Sequence, residues 1–184
     1  MLNSKTFSDK FYSKLLGDYG YSDSKMVSVN KVLKMLPQEG KVLDIGCFDG
    51  YVLELIKNKN PSYEVYGVDA SKKAVEESNS KGLKVFEGNA EEKIPFEDNF
   101  FDAVIAIELI EHLADTDPPH MAGHLRFYTH DLLEDYIKYS GFEVVESKSD
   151  LVHFSSDGKI YSKLLAELFP KIGRGVLIKS KNIK

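Results

Sequence analysis

The sequence predicts an α/β fold organised around a mostly parallel sheet, on three observations. From Lys41 onward, short apolar runs alternate with Lys- and Glu-rich segments of helical period. Glycines punctuate the joints, at Gly46, Gly50, Gly82 and Gly141. Phe101–Ile107 is unbroken and apolar after Asp102, the pattern of a strand covered on both faces. Strands separated by a helix's length of chain pair in parallel through right-handed crossovers.

Each element has its own signal. Between Phe7 and Met35, Phe11, Leu15 and Leu16, then Val29, Val32, Leu33 and Leu36, recur at helical spacing. Gly17 and Gly20 divide that stretch into two helices, and Pro37 with Gly40 stops the second. Lys41–Ile45 is the first strand. Tyr51–Lys59 is a helix with Leu53 and Ile56 inward. Tyr63–Val68 is the second strand, and Lys72–Ser80 a helix with Ser71 as N-cap and Gly82 as terminator. Leu83–Phe86 is a short third strand and Phe101–Ile107 the fourth. Thr129–Ser140 is a helix capped by Thr129, with Leu132, Leu133, Tyr136 and Ile137 on one face and Gly141 at its end. Phe142–Ser147 alternates as a strand, Lys159–Phe169 is helical, and Gly175–Lys179 is the last strand.

Composition narrows the classes. At 184 residues and 42% apolar, the chain has length for one ordinary core and reads as a single domain over 1–184. A formal charge of −5 argues against bulk nucleic-acid affinity, and Lys179, Lys181 and Lys184 read as a solvated end. Cys47 is the one cysteine, so no internal disulfide forms and a reducing compartment is expected. The polar N-terminus, with Lys5, Asp9 and Lys10, has no apolar run of signal length. No stretch approaches the roughly 20 apolar residues of a membrane span. A cytoplasmic protein without a membrane span is expected.

The chemistry-bearing pattern lies in Val42–Gly50 and Val65–Asp69. A buried strand runs into a glycine-punctuated turn and a helix, and the next strand ends in a carboxylate. Glycines let backbone N–H groups approach a ligand, and a terminal acid accepts hydrogen bonds from both hydroxyls of a ribose. The pair reads as a nucleoside-binding half-site.

Four stretches, in order, carry a resemblance: VLDIGCFDG, VYGVDAS, FEGNAEEKIPFEDNFFDAVIAIELIEHL and HLRFYTHDLLEDYIKYSGFEVVE. Together they resemble the class I S-adenosylmethionine-dependent methyltransferases, in the branch labelled methyltransferase type 11 or ubiquinone-biosynthesis-like. The resemblance implies a Rossmann-like sheet with helices on both faces and an antiparallel C-terminal strand. It divides the domain into an N-terminal helical cap (1–37), a cofactor-binding half (41–113) and a C-terminal half (124–184). The implied cofactor is S-adenosyl-L-methionine, with S-adenosyl-L-homocysteine as product. By the same resemblance Gly46, Cys47 and Gly50 form the turn that admits the methionine moiety, and Asp44 serves its ammonium group. Asp69 takes the ribose hydroxyls. Ala70 lies against the adenine, and Asn89-Ala90 falls where the family commonly has an acid facing the adenine amine. Glu108 and Leu109 stand at the mouth of the crevice.

Two departures matter. Phe48 occupies a place frequently held by glycine, either covering the cofactor or packing beneath the turn. After EHLADTD the family continues with a helix, a turn and a fifth strand; here Asp117 is followed at once by Pro118-Pro119-His120. Strand five is therefore expected to be absent, along with one wall of the acceptor pocket.

Methyl transfer from a sulfonium needs orientation, desolvation and an acceptor in its nucleophilic protonation state. For a hydroxyl acceptor the catalytic candidates are Glu108 and His112 as general base, with His124 facing from the other side. The alternative for His112 is anchoring a helix start. His120, His124 and His130 otherwise read as solvent-facing loop residues. Glu108-Leu109-Ile110-Glu111-His112 also resembles the ExxEH pattern of metal-dependent small-RNA 2′-O-methyltransferases, with His124 as a further ligand. The same segment recurs in metal-free members and the acidic balance opposes RNA, so no metal is assigned. A catalytically inert methyltransferase-like binder is a second alternative. A nicotinamide-linked dehydrogenase is a third, opposed by the absence of GxGxxG spacing. The expected partner is a small-molecule acceptor whose identity, like the oligomeric state, the sequence leaves open. Tyr12, Tyr19 and Tyr21 are candidates for a lid or for ordinary packing.

Overall fold

The computed structural model describes residues 23–92, 94–110, 130–150, 152–153, 161–168 and 176–183. In chain order the elements are α1 (Asp23–Met35), β1 (Gly40–Ile45), α2 (Tyr51–Lys59), β2 (Tyr63–Asp69), α3 (Lys72–Ser80), β3 (Lys84–Glu87) and β4 (Ala103–Ala106). They continue with α4 (His130–Tyr139), β5 (Phe142–Ser149), β6 (Val152–His153), β7 (Tyr161–Ser162), α5 (Lys163–Leu168) and β8 (Val176–Asn182). The described residues fall into two compact units, one within Leu36–Arg126 and the other within Tyr21–Met35 and Phe127–Lys184.

The first unit is a four-stranded sheet in the order β3-β2-β1-β4, every pairing parallel. Its register sets Asp44 beside Gly67 on one side and Ile105 on the other. On α2, Val52, Leu53 and Ile56 are buried, as the spacing required. Gly67 leaves room for this packing: a Cβ there would meet Cys47, Leu53 and Val85. Leu43, Tyr66 and Val68 form a second cluster, against which Ile45, Ile94, Phe96, Phe100 and Phe101 pack. The loop after β3 thus seals the sheet with edge-on aromatic pairs, Tyr66 meeting Phe100 and Phe101 at 5.6 Å. Lys41 lies 4.3 Å over the Phe100 ring.

The helix ends follow local chemistry. Ser71 caps α3, its hydroxyl accepting from the Ala74 N–H at 3.3 Å. Gly82 follows with φ +76, a left-handed residue that lets the chain turn into β3.

β4 corrects the expectation of a strand covered on both faces. Ile105 is buried, but Val104 is 55% exposed. Among the described residues β4 pairs with β1 only, so it is the edge of the described sheet. The apolar run reflects one buried face and short side chains on the other.

In the second unit β5 and β8 pair antiparallel, with an irregularity between Val144 and Glu146. β6 and β7 form a short antiparallel pair that no sequence signal announced. On α4 the expected apolar face is partial: Leu133 and Ile137 are half-buried, whereas Leu132 and Tyr136 are exposed. His130, expected to face solvent, is buried at the start of α4. Its Nδ1 and Nε2 lie 3.0 and 3.1 Å from the Ser147 and Ser149 hydroxyls on β5, which solvate the ring in place of water. Ser28 on α1 donates to Asp150 at 3.0 Å, and Lys31 donates to the carbonyls of Ser149 and Asp150. These buried and part-buried polar bonds fasten α1 to the end of β5.

The earlier helix before Gly17, Tyr12, Tyr19, Tyr21, His112, His120, His124, the junction after Asp117 and the Thr129 cap lie outside the described residues. No helix among the described residues is long and apolar enough to cross a membrane.

Candidate functional site

The predicted binding residues converge at the carboxyl ends of β1 and β2, where parallel sheets leave a crevice. Past Ile45 the chain makes a turn with three left-handed residues: Gly46 (φ +76), Phe48 (φ +51) and Gly50 (φ +77). Two are glycines, which accept this geometry freely; Phe48 takes it with a side chain, at a cost on the order of 1 kcal/mol. The turn is bonded into the sheet by the N–H groups of Gly46 and Cys47, which both donate to the Val68 carbonyl.

Asp69 locks this arrangement. Its Oδ2 accepts the Phe48 N–H at 2.9 Å and its Oδ1 accepts the Ser71 N–H at 2.8 Å. The carboxylate therefore spans the glycine turn and the cap of α3, which orients it at the β2 tip. The N–H of Gly88 donates to the Asp69 carbonyl, bringing the Asn89-Ala90 loop alongside. Asn89 turns its Oδ1 to the Glu91 N–H at 3.1 Å, so its amide shapes its own loop.

Asp44 differs in kind. It is 3% exposed, and among the described residues its carboxyl has no hydrogen-bond or ion-pair partner. Burial, and then the neighbouring Asp69 charge, push this carboxyl up to about 8. Cys47, buried beside both acids, has its thiol pushed far upward by burial first and by Asp44 and Asp69 next. It is a packing residue and an unreactive thiol.

On the β4 side, Leu109 closes on the turn: a Cβ on Gly46 would stand 2.9 Å from its Cδ1. Glu108 is exposed and holds φ +53, a strained backbone two residues past the strand. Asp44, Gly46, Cys47, Gly50, Asp69, Ala70 and Leu109 are thus brought together, with Asn89, Ala90 and Glu108 at the borders. The two N–H groups that clamp Asp69 escaped sequence reading. The Ser71 clamp had a signal in Asp-x-Ser, which favours a turn closed by the aspartate side chain. Phe48 had none. A cavity of about 430 Å³ in the second unit, lined by Lys31, Lys34, Glu146, Lys148 and others, mixes both charges and includes none of these residues.

Residues 43–123 match the family profile described as a methyltransferase domain. Over these residues the chain is similar to a methyltransferase domain. Solved structures share this fold. A methyltransferase of Haloferax volcanii, described as putative and solved in complex with the Trm112 methyltransferase activator, is 19% identical with a TM-score of 0.69, over 94% of this chain and 95% of that one. An S-adenosylmethionine-dependent methyltransferase from Aquifex aeolicus is 19% identical with a TM-score of 0.52, over 79% and 92%. The YcgJ protein from Bacillus subtilis is 19% identical with a TM-score of 0.53, over 70% and 74%. Comparison with curated proteins gives no match. The turn of Gly46–Gly50, the β2 tip and both acids lie within the matched segment.

Proposed function

We propose that this protein is an S-adenosylmethionine-dependent methyltransferase acting on an O, N or C nucleophile of a small-molecule acceptor. The observation that carries the reading is the pair of acids on adjacent strand ends, one held by backbone N–H groups and one buried with no partner among the described residues. An unpartnered buried acid calls for a cation, and S-adenosylmethionine carries an ammonium at its amino-acid end. The residues present fit the cofactor. Asp69 takes the ribose hydroxyls, for a carboxylate has acceptor capacity for about four hydrogen bonds. Gly46, Cys47 and Gly50 border the methionine portion, with Asp44 toward its ammonium. Ala70, Asn89 and Ala90 border the adenine.

Bound there, the cofactor supplies a methyl group already activated on a sulfonium. The chain supplies orientation and exclusion of water, with the sealed sheet behind the site keeping the carboxylates at fixed separation. Glu108 or His112 receives the proton of a hydroxyl acceptor as general base.

Calorimetric titration with S-adenosylhomocysteine tests the cofactor assignment. Asp69→Ala loses two charge-assisted hydrogen bonds and weakens binding by at least about 100-fold. Unchanged affinity in that variant overturns the assignment.

A protein partner is a second element of the reading. The Haloferax volcanii protein, of closely matching coverage, was solved with an activator, and this chain exposes Val104, Tyr139, Leu164 and Leu168. An activator of that kind is expected to co-elute with this chain in stoichiometric ratio on size exclusion; separate elution removes it.

A further inference from the structure

Asp44 carries more than a place in the cofactor site. It lies on β1 between Gly67 of β2 and Ile105 of β4, 3% exposed. The charge acting on it is of its own sign, the Asp69 carboxylate at the end of β2. The adjacent turn contributes the Cys47 thiol, which burial keeps neutral, and Asp49. β4 presents Ile105 and Ala106, with the exposed Glu108 beyond them. None of the ionisable groups of α2, Tyr51, Glu54, Lys57 and Lys59, acts on it, and no lysine, arginine or histidine among the described residues offsets its charge. Asp69 has backbone donors to stabilise its anion. Among the described residues Asp44 has neither donor nor cation.

Two adjacent carboxyls, one of them buried, separate into one anion and one neutral acid, and the buried acid that lacks donors keeps the proton. We propose that Asp44 is a proton-exchanging counter-ion: it is a neutral acid in the empty protein, and it gives its proton to solvent when the ammonium of an S-adenosyl amino acid comes beside it. The exchange balances. A proton leaves and one positive charge enters, so the pair keeps one net negative charge before and after.

This rests on the cofactor reading above and adds to it a selection rule and a pH dependence. Ligands with an ammonium at the amino-acid end displace the proton. Nucleosides without one, such as 5′-methylthioadenosine, leave it in place. Below the pH at which Asp44 titrates, affinity for S-adenosylhomocysteine rises about tenfold per pH unit, because each binding event must release a proton. Affinity for 5′-methylthioadenosine stays flat.

The test is calorimetry of the full chain at pH 7 with both nucleosides, in buffers of widely different ionisation enthalpy, repeated between pH 6 and 7.5. For S-adenosylhomocysteine the dependence of binding enthalpy on buffer is expected to give about one proton released, with none for 5′-methylthioadenosine. In Asp44→Asn the release disappears and the pH dependence flattens. S-adenosylhomocysteine binding with no proton release overturns the proposal and leaves the cofactor reading standing. Equal release with both nucleosides also overturns it, since the proton then comes from a group other than the ammonium's partner. Failure of both to bind overturns the cofactor reading, and the proposal with it. The wild-type measurements decide the matter even where the variant fails to fold.

Discussion

Asp44 and Asp69 are the same residue type one strand apart, and their surroundings give them opposite characters. Two backbone N–H groups donate to the Asp69 carboxyl, whereas burial lifts Asp44 to about 8. That lift has a consequence for stability. In the unfolded chain Asp44 titrates near 4, as an ordinary carboxyl. Between about 4 and 8 the folded protein therefore binds more protons than the unfolded chain, and stability falls as pH rises, by up to about 1.4 kcal/mol per pH unit for one group. Asparagine at this position has nothing to titrate. Without ligand, Asp44→Asn is expected to melt above the parent at pH 7 to 8, with the difference closing toward pH 4. Thermal melts across that range check it; a difference independent of pH contradicts the burial argument. Phe48 shows a further residue-scale effect. A position read as either cofactor cover or packing proves to be a left-handed residue whose N–H clamps Asp69.

At the scale of elements, periodicity and punctuation did most of the work. Leu53 and Ile56 were readable as inward residues because a 3.6-residue period leaves few alternatives, and both are fully buried. Ser71 was readable as a cap because serine before a helix satisfies an otherwise orphaned N–H. Its removal is expected to cost about 1 kcal/mol, so Ser71→Ala lowers the urea midpoint without changing the slope. The Ser71 N–H remains in that variant, so the Asp69 clamp persists; a loss far above that figure indicates that the hydroxyl supports the site itself. Reading failed where an element's surroundings decide its exposure. Val104 sits in an apolar strand, yet among the described residues that strand has one partner, and its outer face is incompletely covered. Leu132 and Tyr136 follow helical spacing, but α4 meets too little of its unit to bury them. His130 stands in a polar sequence context and is buried by two serines 17 and 19 residues away.

For the molecule as a whole, the cofactor reading makes a global prediction. A ligand that binds the folded state alone stabilises by about 2.7 kcal/mol at 100 times its dissociation constant. Saturating S-adenosylhomocysteine is expected to raise the melting temperature by several degrees in the parent and to leave Asp69→Ala unmoved. A shift of equal size in both proteins moves the binding site away from the β2 tip. The βαβ rhythm was legible from end to end of the first unit because burial on a parallel sheet writes itself into sequence as apolar runs between amphipathic helices. Glycines at positive φ were legible too, since few other residues take that geometry without strain.

Sequence by itself determined the parallel order of elements, the glycine turn and the two acids at strand ends, because each depends on local period or local backbone freedom. Tertiary structure decided which acid is buried and which has backbone donors, which face of β4 is open and how His130 is satisfied. These depend on desolvation and on donors brought from distant positions, and such proximity leaves no local mark in the chain.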